Sequence, residues 1–76
     1  MKAMLTEIIK GLVDDPSSVQ VDEVEETDGV VFEVSVADND LGKVIGKDGK
    51  IANALRTVAK SVAGGDDRRV HVEIRS

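Results

Sequence analysis

The residues with the most chemical potential in this 76-residue chain run from Val44 to Ile51: Val-Ile-Gly-Lys-Asp-Gly-Lys-Ile. Glycines at 46 and 49 allow backbone conformations that β-carbon sterics deny to most residues. Gly46 is suited to ending a helix with positive φ. Gly49 leaves no side chain between an approaching polymer backbone and the first amides of a following helix. Those unpaired amides, with the helix dipole behind them, suit a phosphate. Lys47 and Lys50 add positive charge to the loop, and Lys43 lies four residues before Lys47. Val44, Ile45 and Ile51 are expected to form an aliphatic floor beside the charged rim. A phosphate grip next to an apolar platform fits single-stranded RNA, with its backbone held and its bases splayed out.

Competing chemistries lack their residues. The chain has no Cys, which removes disulfides, thiolate metal sites, Fe–S clusters and cysteine nucleophiles. A nucleotide-binding P-loop is excluded by spacing: Gly42 and Gly46 are too close, and Asp48 stands where Ser or Thr would bind magnesium. The acidic run Asp22, Glu23, Glu25, Glu26 would place ligands on both faces of a strand, so it reads as a solvated edge. His71 has no partnering nucleophile and is expected at the surface. Asp38 and Asp40 read as helix caps rather than as an acid–base pair. No catalytic residue, metal site or cofactor is expected, and the chain does not read as an enzyme. Phe32 is the lone aromatic; it alternates in phase with Val30 and Val34 and is expected in the core. Binding must then proceed without the aromatic stacking common in single-strand binders.

The elements that carry the loop follow from hydrophobic period. Met4-Leu5, Ile8-Ile9 and Leu12-Val13 are apolar pairs every four residues, the stripe of a first helix. Pro16 stops it. Val19 and Val21 alternate as a strand, and Val24 breaks the alternation, which predicts a bulge or strand end there. Thr27-Asp28-Gly29 is hairpin chemistry, Asp-Gly being suited to positive φ. Val30, Phe32, Val34 and Val36 form the clearest strand, and any of Asp38, Asn39 and Asp40 could cap the next element. The glycine loop then separates two helices. The longer runs from about Lys50 to Ala63, with Ile51, Ala54, Leu55, Val58 and Val62 apolar and Ala52, Ala59 and Ala63 widening the face. Gly64-Gly65 supplies its stop. A last strand turns Val70, Val72 and Ile74 inward. The order is α-β-β-α-α-β, a single α+β domain over residues 1–76.

The net charge of −5 at first argues against a phosphate partner. It is an average. Residues 1–40 carry a net −9, whereas residues 41–76 carry a net +4. The longest apolar runs are only a few residues, where a membrane span needs about 20. No membrane role is expected, and the charged first turns do not read as a signal peptide.

The segment VIGKDGKI resembles the I-G-x-x-G core of KH domains, and the element order is similar to the prokaryotic type II arrangement. The whole chain is similar to the small bacterial single-KH family called KhpA. Gly46, Lys47, Asp48 and Gly49 match the family's loop; Gly42, Lys43, Ile45, Lys50 and Ile51 lie at or match its flanks. Asp48 is acidic where many KH loops carry a basic or neutral residue. The resemblance implies a three-stranded sheet packed on three helices with a GxxG loop. It implies a cytoplasmic protein that binds single-stranded RNA, as a chaperone or post-transcriptional regulator, with RNA contacts at these nine residues. It also implies pairing with itself or with a larger, KhpB-like KH protein, and a link to cell shape and cell-wall biogenesis. The alternative is an interaction module whose wide apolar helix face pairs with another KH chain, RNA binding being secondary.

Overall fold

In the computed structural model, which describes residues 2–64 and 68–76, the apolar pairs at the start of the chain wind into α1 (Lys2–Leu12). Leu5 and Ile9, one turn apart, are fully buried, while Met4, Ile8 and Leu12 lie at the margin of the buried stripe. Pro16 opens a single 3-10 turn, Pro16–Ser18, where its fixed φ fits the first position. The Ser17 and Ser18 hydroxyls donate to the Asp15 carboxylate at 2.6 and 2.7 Å. Those two bonds hold the Asp15 carboxyl below the usual carboxylate range.

Strands β1 (Gln20–Glu26) and β2 (Gly29–Ser35) pair antiparallel, in register from Gln20 opposite Ser35 to Glu26 opposite Gly29. The bulge expected at Val24 does not occur. Val24 lies opposite Val31, on the sheet face away from the helices, and the period stays two throughout. The apparent break arises because Glu23 and Glu25 take the helix-side positions of an edge strand and remain exposed. The hairpin forms at Thr27-Asp28 as expected, but without the expected backbone: neither Asp28 nor Gly29 has positive φ. Gly29 is required for another reason. A β-carbon there would run into the carbonyl of Arg69 on the neighbouring strand.

That neighbour, β3 (Arg69–Arg75), lies parallel to β2, which gives the order β1-β2-β3. Parallel pairing demands a long crossover. Residues 36–68 supply it, and they carry the glycine loop. Within the crossover are a 3-10 turn at Asp38–Asp40, then α2 (Leu41–Ile45), a turn at Lys47–Gly49 and α3 (Lys50–Ala59). The second long helix was expected to reach Ala63; its α-helical part ends at Ala59, and Lys60–Gly64 continues as a π-helical turn. Gly64 closes that turn, whereas Gly65 and the side chain of Ala63 lie outside the described residues.

The helices cover one face of the mixed sheet. Phe32, Val30 and Val34 on the central strand pack with Leu5 and Ile9 of α1, Val44 of α2 and Leu55 and Ala59 of α3. Phe32 is wholly buried. This α+β architecture is the type II KH fold. Among the described residues no helix is long and apolar enough to cross a membrane.

Candidate nucleic-acid interface

Upstream of the loop, the start of α2 is anchored by Asp40. This carboxylate, 1% exposed, accepts the backbone N–H groups of Asp14 at 3.1 Å and Asp15 at 3.0 Å. The expectation that Asp38 or Asp40 caps its own helix is therefore corrected: neither the Asp38–Asp40 turn nor α2 has a side-chain cap. Asp40 already has near-helical backbone angles (φ −98°, ψ −6°). The extended backbone that turns a side chain onto its own helix's amides is missing, and the carboxylate reaches across to the connection between α1 and the Pro16–Ser18 turn instead.

Lys43 belongs to the same corner. Its ammonium pairs with Asp14 and lies 3.8 Å from Asp40. The hydrogen bond to Asp14 raises its pKa above the ordinary lysine value, with both carboxylates adding Coulombic attraction. The sequence placed Lys43 at the phosphate rim; in the fold it is engaged by two acids.

Between the helices, three of four loop residues have positive φ. Gly46 ends α2 at φ 77°, ψ 173°, a region essentially restricted to glycine. A β-carbon there would also fall 2.7 Å from Cγ1 of Ile51. The N–H of Gly46 donates to the Gly42 carbonyl at 2.9 Å, and that of Gly49 to the Gly46 carbonyl at 3.2 Å. Asp48 is left-handed at φ 58°, ψ 24°, a conformation aspartate tolerates better than most residues. Gly49, at φ 74°, ψ 16°, leads into α3 with no side-chain cap on the helix. A β-carbon on Gly49 or Gly42 would meet nothing within 4 Å.

Lys47, Asp48 and Lys50 are exposed, and Ile45 and Ile51 are half-buried at the base of the loop. Val44, expected in the aliphatic floor, is fully buried in the core. The floor is thus Ile45 and Ile51, with Gly42 on the open side of α2.

Ion pairs sort the remaining charge. Four of the eight cations after residue 40 are paired with acids before it: Lys43 with Asp14, Arg68 with Glu25, Arg69 with Asp28 at 3.6 Å and Arg75 with Glu33 at 3.3 Å. Among the described residues Lys47, Lys50, Arg56 and Lys60 have no such partner. All four lie on the loop, α3 and the turn that extends it. Arg56 and Lys60 belong to the basic half of the sequence but fall outside the nine residues expected at the site. Their signal was available in the sequence: with 3.6 residues per turn, Lys50, Arg56 and Lys60 fall within an arc of about 120°. His71 and the run Asp22, Glu23, Glu25, Glu26 are exposed on the sheet. Among the described residues no cluster of three His, Asp or Glu could hold a metal ion.

Comparison with known proteins gives a consistent set of matches. A family model described as "KhpA/KhpB, KH domain" matches residues 2–74. A protein named RNA-binding protein KhpA from Clostridium acetobutylicum is 51% identical over 74 residues, covering 97% of this chain and 99% of the relative. Proteins of the same name from Chlamydia trachomatis serovar D and Caldanaerobacter subterraneus are each 45% identical over 74 residues. Both alignments cover 97% of this chain, with 95% and 99% of the respective relatives. No solved structure matches.

Proposed function

The chain belongs to the KhpA/KhpB KH-domain family, and from that premise we propose that it binds short single-stranded RNA at the Gly46–Gly49 loop. The observation that carries the reading is the backbone of that loop. Positive φ at Gly46, Asp48 and Gly49 turns the chain tightly while Lys47 and Lys50 stay exposed beside the uncapped start of α3. The lysines and helix amides would hold phosphates, and Ile45, Ile51 and the open side of Gly42 would receive bases. The names of the relatives point to the same ligand. KH loops of this kind clamp about four nucleotides of backbone. The protein would act in the cytoplasm as an RNA chaperone or post-transcriptional regulator, by binding rather than catalysis, in the control of cell shape and wall synthesis.

Lys47→Asp tests the reading. With Asp48 retained it reverses the charge at the loop without touching a buried group. An electrophoretic shift of single-stranded RNA should be lost while the circular dichroism melt stays unchanged. Equal affinity in wild type and variant would exclude the loop as the grip.

A second reading rests on a separate observation. Ala54, Val58 and Val62 share one exposed edge of α3 and the turn after it, with Val58 37% and Val62 59% exposed. Through this edge the chain would pair with itself or with a larger KH protein while RNA stays at the loop.

A further inference from the structure

We infer that the outer face of α3 and of the turn that extends it, through Arg56 and Lys60, forms a second phosphate track that continues the RNA path beyond the Gly46–Gly49 loop. The inference rests on the loop being the RNA grip and extends it from a four-nucleotide clamp to a longer footprint.

Pairing with the acidic half occupies Lys43, Arg68, Arg69 and Arg75. The cations without an ion-pair partner among the described residues of the basic half are Lys47, Lys50, Arg56 and Lys60. From Lys47 to Lys60 these four face a single carboxylate, Asp48, leaving a net +3 on a chain whose total is −5. All four side chains are exposed.

They follow one side of the helix. At 1.5 Å rise per residue, Lys50 and Lys60 are about 15 Å apart along the helix, with Arg56 between them. Exposed Asn53 and Thr57 fill the same arc. The Thr57 hydroxyl donates back to the Asn53 carbonyl at 3.0 Å, and neither side chain carries a charge that would oppose a phosphate. The apolar edge of Ala54, Val58 and Val62 lies on a different side of the helix. A polyanion leaving the loop meets cations along this face and carboxylates on β1, where Asp22, Glu23, Glu25 and Glu26 are exposed. An RNA strand is favoured over an acidic protein because the stripe begins at the loop cations Lys47 and Lys50 without interruption by an acid after Asp48.

The test compares a four-nucleotide with an about twelve-nucleotide single-stranded RNA of the same repeating sequence, on the full chain, by anisotropy and by NMR titration. The double variant Arg56→Gln with Lys60→Gln should bind the short RNA within about twofold of wild type. It should bind the long RNA about five- to tenfold more weakly, and lower the magnitude of its salt slope by about 1.4, the value for two lost phosphate contacts at about 0.7 each. Arg56→Lys with Lys60→Arg should restore both. Unchanged affinity and slope for the long RNA overturn the inference while leaving the loop reading intact. So does a variant whose defect appears in sedimentation rather than RNA binding, which would assign the face to an acidic protein partner. If wild type binds neither RNA, the loop reading fails and this inference with it.

Discussion

Asp48 puts a carboxylate inside a loop proposed to grip phosphate, and its backbone explains how it is accommodated. At φ 58° and ψ 24° the residue is left-handed, a state that costs most L-residues roughly 1–2 kcal/mol and is visited most readily by Gly, Asn and Asp. The loop's geometry therefore restricts what can stand at 48 more tightly than its electrostatics do. Two substitutions separate these effects. Asp48→Asn keeps the conformational tolerance and removes the charge, so stability in a urea melt should stay within about 0.5 kcal/mol while RNA affinity rises. Asp48→Val forces a β-branched residue into the left-handed region and should lower stability by about 1–2 kcal/mol. An Asn variant that binds RNA no better than wild type would mean the carboxylate points away from the path of the phosphates. Lys43 shows the complementary case, a cation near the loop whose ammonium is already held by Asp14 and Asp40. Free positive charge at the loop is correspondingly smaller than the residue count suggests.

At the scale of elements, α2 has five residues, too short to be stable by its own hydrogen bonds. It is held by Val44 in the core and by Asp40, which ties its start to the segment that follows α1. Asp40→Asn leaves one acceptor where two backbone donors converge. Hydrogen bonds to a charged group contribute about 1.5–3 kcal/mol, so the variant should lose about that much, and amide exchange at Asp14 and Asp15 should accelerate. An unchanged urea midpoint would show that the clamp contributes nothing. This contact also marks where the sequence stops being legible. The stripe of α1, the alternation of β2 and β3, Phe32 in the core and the turn at Gly46 were all readable because each is set by neighbours within a few residues. Asp40 meets partners 25 and 26 positions away, Lys43 a partner 29 away, and Gly29 a carbonyl on a strand that pairs parallel after a long crossover. Val24 departs from expectation for a related reason: alternation shows which residues share a face, not how far the helices cover an edge strand. Val44 lies in the core and not in the floor, a distinction that helix phase over five residues is too short to settle.

For the whole molecule, the split into a −9 half and a +4 half becomes an arrangement in space. Acids of the first half pair with Lys43 of α2, with Arg68 and with Arg69 and Arg75 of β3, and among the described residues the unpaired cations of the second half lie on the loop, α3 and the turn after it. Helix α3 then presents two edges with opposite requirements, one cationic and one apolar. Exposed apolar residues are ordinary on small domains, so the edge at Val58 and Val62 needs a test that separates association from RNA binding. Salt does this by sign. Two copies that each carry −5 repel, and screening weakens that repulsion, so self-association through an apolar edge should strengthen as salt rises. RNA binding should weaken over the same range. Wild type should therefore sediment increasingly as a dimer with added salt at tens of micromolar. Val58→Asp with Val62→Asp should remain monomeric throughout and keep the RNA affinity of its loop. Ile8→Asp, at the exposed margin of α1, serves as the control and should still dimerise. If Ile8→Asp alone abolishes association, the apolar margin of α1 is the contact and the α3 edge is not; a wild type monomeric at every salt concentration removes self-pairing altogether.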